Sequence, residues 1–244
     1  MFLTKRDSFL LTYLHIVKVA SRKQINRDVY KGYLEQNTRR RLKILKDNSY
    51  ILANRPKADG DRSNLYSLTN KGFKMVQEYL PLTLVNKRFK SDSIEHDLAL
   101  VEIKYVLSQK KHISRYYAEN QIQSYSFFDE DDELIKYKNL FFDAFMLGKN
   151  ESGKEFNIGI QYEQTQKNES RYREILTDYY LDKSLQYIFY ICTGKAIENI
   201  LKKNEKQISN SSDKKLYFIQ YKDLVDPNKT TKFINQDNKV IEIH

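Results

Sequence analysis

The 244-residue chain has one cysteine, seven glycines, three prolines and no tryptophan. A lone Cys192 excludes an intrachain disulfide and a multi-cysteine zinc site. So little glycine and proline argues against collagen-like, linker-like or loop-dominated architecture. The run of about 18 apolar residues that a membrane helix needs is absent, as is a basic start leading into a long apolar segment. The expectation is a soluble, cytoplasmic protein with no membrane partner. What is present is a 40% apolar content that includes 19 Tyr and 13 Phe. That is enough to build a core, and the length suits one large domain or two modest ones.

Charge is unevenly placed. Residues 1–90 hold 20 Lys and Arg against 7 Asp and Glu, whereas residues 91–244 hold 22 against 25. The formal net charge of +10 is thus a first third at +13 and a remainder at −3. A lysine-rich surface kept for solubility would be spread over both parts. The asymmetry points to a polyanionic partner bound by the first third with strong salt dependence.

The most basic segment there is Leu34–Lys46, LEQNTRRRLKILK. Leu34, Leu42 and Leu45 can share one helical face with Thr38 between them, which turns Asn37, Arg39, Arg40 and Lys43 elsewhere. A solvated charged helix face is the plain alternative. The flanking sequence favours double-stranded DNA. Arg6–Val17 reads as a helix, and Ser21 caps a shorter one through Tyr30. The glycine turn Lys31-Gly32-Tyr33 then leads into the basic helix, which completes a helix-turn-helix. Tyr50–Leu52 and Leu65–Leu68 read as strands around the polar, basic stretch Arg55 to Arg62, a β-wing. Thr69 caps a helix to Tyr79, with Pro81 beyond its end.

This stretch resembles bacterial winged-helix DNA-binding domains, on the strength of Leu45-Lys-Asp-Asn-Ser-Tyr50-Ile51 and Tyr66-Ser-Leu-Thr-Asn-Lys-Gly72. The candidate DNA-binding residues are Asn37, Arg39, Arg40 and Lys43 on the helix and Arg55, Lys57 and Arg62 on the wing. Arg41 flanks the buried face and is placed for a structural pair. Phosphate contact is the commoner role for any one of them. A winged helix can also serve as a protein-binding module.

After a basic connector, Asp92 or Ser93 caps a helix to Ser108. Ile113–Ala118, Ile122–Phe128, Asn139–Leu147 and Phe156–Glu163 read as strands. Ser170–Lys183 is a helix, Gln186–Cys192 a strand buried on both faces, and a further helix begins at Ala196. Strands at Leu216–Tyr221, Lys232–Asn235 and Lys239–Ile243 end the chain. The expected architecture is therefore α+β or α/β: a winged helix-turn-helix over residues 1–90, then a mixed-sheet domain over 91–244.

The second part resembles the restriction-endonuclease-like, or PD-(D/E)XK, fold. That resemblance implies an acid on a middle strand, here Asp143, beside a triplet on the next, here Gln161-Tyr162-Glu163. In that family carboxylates hold Mg²⁺ and a lysine positions water. Asp143 and Glu163 would be the metal ligands, and Asp143, Gln161, Glu163 and Lys167 the catalytic set. Glu stands where the family has lysine, and Lys167 is four residues on. Glu102 or Glu119 would add a third carboxylate. The alternative is a structural or degenerate site, with Asp143 satisfied by Lys167, Arg171 or the helix start near Ser170. The order of the two parts resembles the replication-relaxation family of plasmid and mobile-element proteins. His96-Asp-Leu, Phe142-Asp143, Ile160-Gln161-Tyr162-Glu163-Gln-Thr165 and Arg171-Tyr172 to Tyr179 carry that match, although the family favours an acid where Gln161 stands. The resemblance implies replication, mobilisation or transcriptional control of a mobile element. Winged-helix binders commonly act as dimers on inverted half-sites, so a homodimer is expected, through helix 170–183 or the C-terminal hairpin.

Overall fold

The periodicity of the first third becomes four helices and a small sheet. In this computed structural model, which describes residues 2–54, 64–80, 88–131, 134–209 and 214–244, α1 spans Lys5–Val17, β1 Val19–Ser21, α2 Arg22–Asp28 and α3 Glu35–Asp47. Strands β2 (Ile51–Asn54) and β3 (Leu65–Leu68) follow, then α4 (Asn70–Tyr79). Arg55, Lys57, Arg62 and the wing tip lie outside the described residues, as does Pro81. Ser21 and Gln24 form a reciprocal capping box at the start of α2. Strand β1, which the sequence reading passes over, pairs antiparallel with β3, giving the order β1-β3-β2. Leu10, Leu14, Ile25, Leu42, Leu45 and Phe73 meet in one core.

The remainder comprises α5 (Ile94–Ser108), β4 (Ile113–Ala118), α6 (Glu119–Ser124), α7 (Phe127–Glu130), α8 (Ile135–Asn139), β5 (Ala144–Lys149) and β6 (Glu155–Glu163). It continues with α9 (Glu169–Leu181), β7 (Tyr187–Cys192), α10 (Lys195–Ile208), β8 (Leu216–Gln220), α11 (Tyr221–Leu224), β9 (Thr231–Ile234) and β10 (Val240–Ile243). The chain divides into two compact units: residues 1–101 with 123–131, and residues 102–122 with 132–244.

The second unit is built on a seven-stranded mixed sheet in the order β10-β9-β8-β7-β6-β5-β4. Strands β4, β5 and β6 form an antiparallel meander, and β6 pairs parallel with β7 after the α9 crossover. The sheet curls until its edges meet at a corner, where the Lys111 N–H donates to the His244 carbonyl at 2.6 Å. The fold is a mixture of α and β, as expected, and none of its described helices is long and apolar enough to cross a membrane.

Two strand assignments fail. Residues 122–128 form the end of α6 and α7 instead of a strand. Ile122, Tyr125 and Phe128 are the buried apolar positions, a three-residue spacing that belongs to helical turns. Residues 139–143 are not strand either: Phe141 has a φ of 51°, which breaks any extended run from Asn139 into β5. Asp143 therefore sits one residue ahead of β5, although its N–H still donates to the Ile160 carbonyl at 3.1 Å. Gly159 allows the neighbouring Phe142 ring to lie flat on the sheet, since a Cβ there would come within 2.3 Å of it.

Candidate nucleic-acid interface and carboxylate site

Helix α3 is held from behind by its apolar and small polar residues. Thr38, Leu42 and Leu45 are fully buried. The Thr38 hydroxyl donates to Asn26 Oδ1 at 2.5 Å and so fixes α3 against α2. Arg22 pairs with Glu35 at 2.9 Å across the same junction. Leu34 does not join the buried face: it is the residue before the first turn and is 73% exposed.

Among the three consecutive arginines, one is structural. Arg41 donates through Nε to Asp7 Oδ1 at 2.7 Å and through Nη2 to Oδ2. Asp7 is 1% exposed and also accepts from the Thr4 N–H and hydroxyl, both at 2.7 Å. Burial alone would raise the Asp7 pKa; the Arg41 and Thr4 bonds outweigh it and leave the group below the ordinary value of 3.8. Asn37, Arg39, Arg40 and Lys43 are all exposed. Lys43 reaches Asp47 at 3.0 Å, an exposed i,i+4 pair that is easily exchanged for another anion. The structure thus brings four of the seven predicted DNA contacts onto one helix, and the other three lie outside the described residues.

The far end of α3 is closed by α4. The Thr69 hydroxyl donates to the carbonyl of Ser49 at 2.6 Å and to that of Tyr50 at 3.0 Å. Lys71 Nζ donates to the Asn48 carbonyl at 3.0 Å. Gly72 is needed here because a Cβ would come within 2.1 Å of the Tyr50 carbonyl.

In the second unit the β5–β6 register sets Asp143 beside Gln161. Asp143 Oδ2 accepts the Tyr162 N–H at 2.7 Å. Strand alternation puts Gln161 and Glu163 on one face of β6, with Tyr190 and Cys192 opposite them on β7. The Gln161 amide donates to the Phe141 carbonyl at 3.1 Å and to the Tyr179 hydroxyl. Glu163, 3% exposed, accepts from Lys167 Nζ. Burial pushes the Tyr172 hydroxyl up to about 12, with the Glu163 carboxylate beside it adding to the shift, and burial also raises Tyr179. Cys192 is a buried thiol raised to about 12 by burial, which leaves it inert.

Asp143, Gln161, Glu163 and Lys167 therefore share one corner of the sheet, under the Tyr172–Tyr179 face of α9. In the sequence Tyr172 and Tyr179 stood out within the stretch that carries the family resemblance, and nothing there tied their hydroxyls to Glu163 and Gln161. Glu102 lies on α5, and the Glu119 N–H donates to the Asp143 carbonyl at 2.9 Å. Among the described residues no group of three acid, histidine or cysteine side chains gathers to hold a metal. Asp143 and Glu163 are two carboxylates, Glu163 being bound to an ammonium as well; Mg²⁺ held by one or two carboxylates completes its octahedron with water. No catalytic step is derived through a metal at this corner.

No family model and no curated protein matches the chain. Among solved structures it is similar to ZitR of Lactococcus lactis, a zinc-responsive MarR family member, at 23% identity and a TM-score of 0.29. That alignment covers 33% of this chain and 54% of the ZitR chain, so the match spans about half of that protein.

Proposed function

We propose that the protein is a DNA-binding regulator in which the first unit is a winged helix-turn-helix and α3 is its recognition helix. One observation carries the reading. Asn37, Arg39, Arg40 and Lys43 are among the α3 side chains that the core leaves in solvent, and the exposed residues of this helix, the most basic segment of the chain, carry four cations (with Lys46) against the two acids Glu35 and Asp47. The element order α1-β1-α2-α3-β2-β3-α4 supports it. Arginine forks on such a helix bind phosphates and guanine edges. The replication, mobilisation or transcriptional role on a mobile element rests on the replication-relaxation resemblance described above. A homodimer on inverted half-sites rests on the common habit of winged-helix binders. Of the two dimer surfaces, the C-terminal hairpin ends in the edge strand β10. The apolar side of α9 is already used by the core, with Tyr172, Leu176 and Tyr179 buried.

Fluorescence anisotropy of a labelled duplex tests this. The wild type should bind with a Kd that rises steeply with salt, and Arg39→Ala/Arg40→Ala should weaken it by about 10- to 100-fold. No DNA affinity at low salt would leave a protein-interaction module in its place.

A second reading, a Mg²⁺-dependent endonuclease targeted by the same helix, is favoured by one arrangement. With the short helices α6 to α8 set aside, the order α5-β4-β5-β6-α9-β7, with Asp143 ahead of β5 and Gln161 and Glu163 on β6, resembles that of the restriction-endonuclease-like core. DNA cleavage in Mg²⁺ or Mn²⁺ that disappears in Asp143→Ala would replace the pure binder with this enzyme.

A further inference from the structure

The core of the first unit uses only one face of its small sheet: Ala20, Ile51, Tyr66 and Leu68 point into it. The register sets Val19, Leu52, Asn54, Leu65 and Ser67 on the opposite face. That second face forms the floor of a cavity of about 580 Å³, whose other walls come from α4's start and residues 88–94.

Its charged lining is of one sign. Lys18, Lys71, Arg88 and Lys90 all contribute, and no Asp or Glu is among the described lining residues. Lys18 has a carboxylate nearby, Asp97 at 3.6 Å, and Lys71 lies over the Tyr50 ring at 4.4 Å. Arg88 differs. Its guanidinium donates to the Leu68 carbonyl and to Asn70 Oδ1, two neutral acceptors. Burial accordingly pulls its pKa below the ordinary arginine value, with no acid offsetting it. A half-buried guanidinium keeps its full charge, and among the described residues this one is bound to neutral oxygens and has no counterion. In the same lining the Ser91 hydroxyl oxygen is buried and finds no hydrogen-bond partner among the described residues. Leu52, Leu65, Phe89 and Ile94 supply apolar wall.

We propose that this cavity is a binding site for a small organic oxyanion, a carboxylate or phosphate monoester with an apolar body. The Arg88 fork would take the anion, Lys71 and Ser91 would add donors, and the apolar wall would cover the organic part.

Calorimetric titration of the full chain with phenyl phosphate, benzoate, inorganic phosphate and benzyl alcohol tests this. Phenyl phosphate or benzoate should bind at one site, benzyl alcohol should not, and Arg88→Gln should weaken binding at least about tenfold. Lys71→Gln should weaken it severalfold. Circular dichroism checks folding, and if Arg88→Gln is unfolded, Lys71→Gln and Lys90→Gln carry the test. No binding at millimolar concentration, or binding indifferent to these substitutions, would overturn the site. Equal affinity for inorganic phosphate would overturn the organic body. A duplex affinity lowered by Arg88→Gln, with no phenyl phosphate binding to the wild type, would assign the charge to the DNA backbone and overturn the proposal as well.

Discussion

Each unit holds a buried carboxylate bound to a cation that reaches in from the surface, and the two pairs are built differently. Asp7 accepts both arms of the Arg41 guanidinium and two donors from Thr4. Glu163 meets one flexible ammonium, Lys167, whose side chain is 41% exposed against 26% for Arg41. A planar fork that fills both carboxylate oxygens fixes geometry, whereas a single lysine contact is easily remade. The first pair belongs to the scaffold that presents α3. The second stands at one corner of the sheet with Asp143 and Gln161, where the Tyr172 hydroxyl also lies beside Glu163.

The largest effect that would break this comparison is Arg41→Met. It leaves Asp7 buried without its counterion, and chemical denaturation should show a loss of about 3–5 kcal/mol. The stability from Asp7 has a definite sign with pH. Its folded pKa lies below 3.8, so the contribution is present above pH 3.8 and disappears as pH falls through the folded value.

Next comes His15, 2% exposed in the first unit, with its Nε2 3.1 Å from the Ser124 hydroxyl and its ring stacked near Tyr125. Burial lowers its pKa from 6.5 to about 4. Below pH 6.5 the unfolded chain takes up a proton that the folded one refuses. Stability should therefore decline between pH 6.5 and about 4, by about 3 kcal/mol in full. Denaturation midpoints measured across that range should lose this slope in His15→Phe.

A smaller effect is expected for Gly159→Ala in the second unit. The added methyl meets the Phe142 ring, itself stacked on Tyr179 at 4.8 Å, and should cost about 2 kcal/mol in a thermal melt. The smallest is Lys167→Met, about 1 kcal/mol, because water reaches the space the ammonium leaves. Equal losses for Arg41→Met and Lys167→Met would erase the distinction between the two pairs.

Much of the first unit was legible because its signals are local. Ser21 and Gln24 cap α2, Thr69 caps α4, and Leu42 and Leu45 face inward at a three-residue spacing. Leu34 was misread because it continues that spacing while sitting one residue before the helix, where no turn carries it inward. Strand β1 was missed because three residues hold too little pattern to separate from a helix end. In the second unit Ile122–Phe128 alternates loosely enough to pass for a strand, and only tertiary packing selects the helical set. The strand assigned from Asn139 failed at Phe141, whose left-handed backbone no residue type announced. Gln161 and Glu163 could be placed on one face by alternation alone. The cavity beside Arg88 had no sequence signal, since its cations come from three separate segments.

The closure of α3 by α4 bears on how finely the exposed arginines are aimed. Asn48, Ser49 and Tyr50 give their carbonyls to Lys71 and Thr69, which anchors the C-terminal end of the helix, while the Thr38–Asn26 and Arg41–Asp7 bonds hold its middle. Arg39 projects nine residues further back, roughly 13 Å along the axis. A lever of that length turns an angular error of about 5° at its fulcrum into a displacement of about 1 Å at the guanidinium, enough to miss a hydrogen bond. Thr69 and Lys71 lie off α3, yet with Asn26 and Asp7 they set the angular tolerance of whatever surface the helix meets.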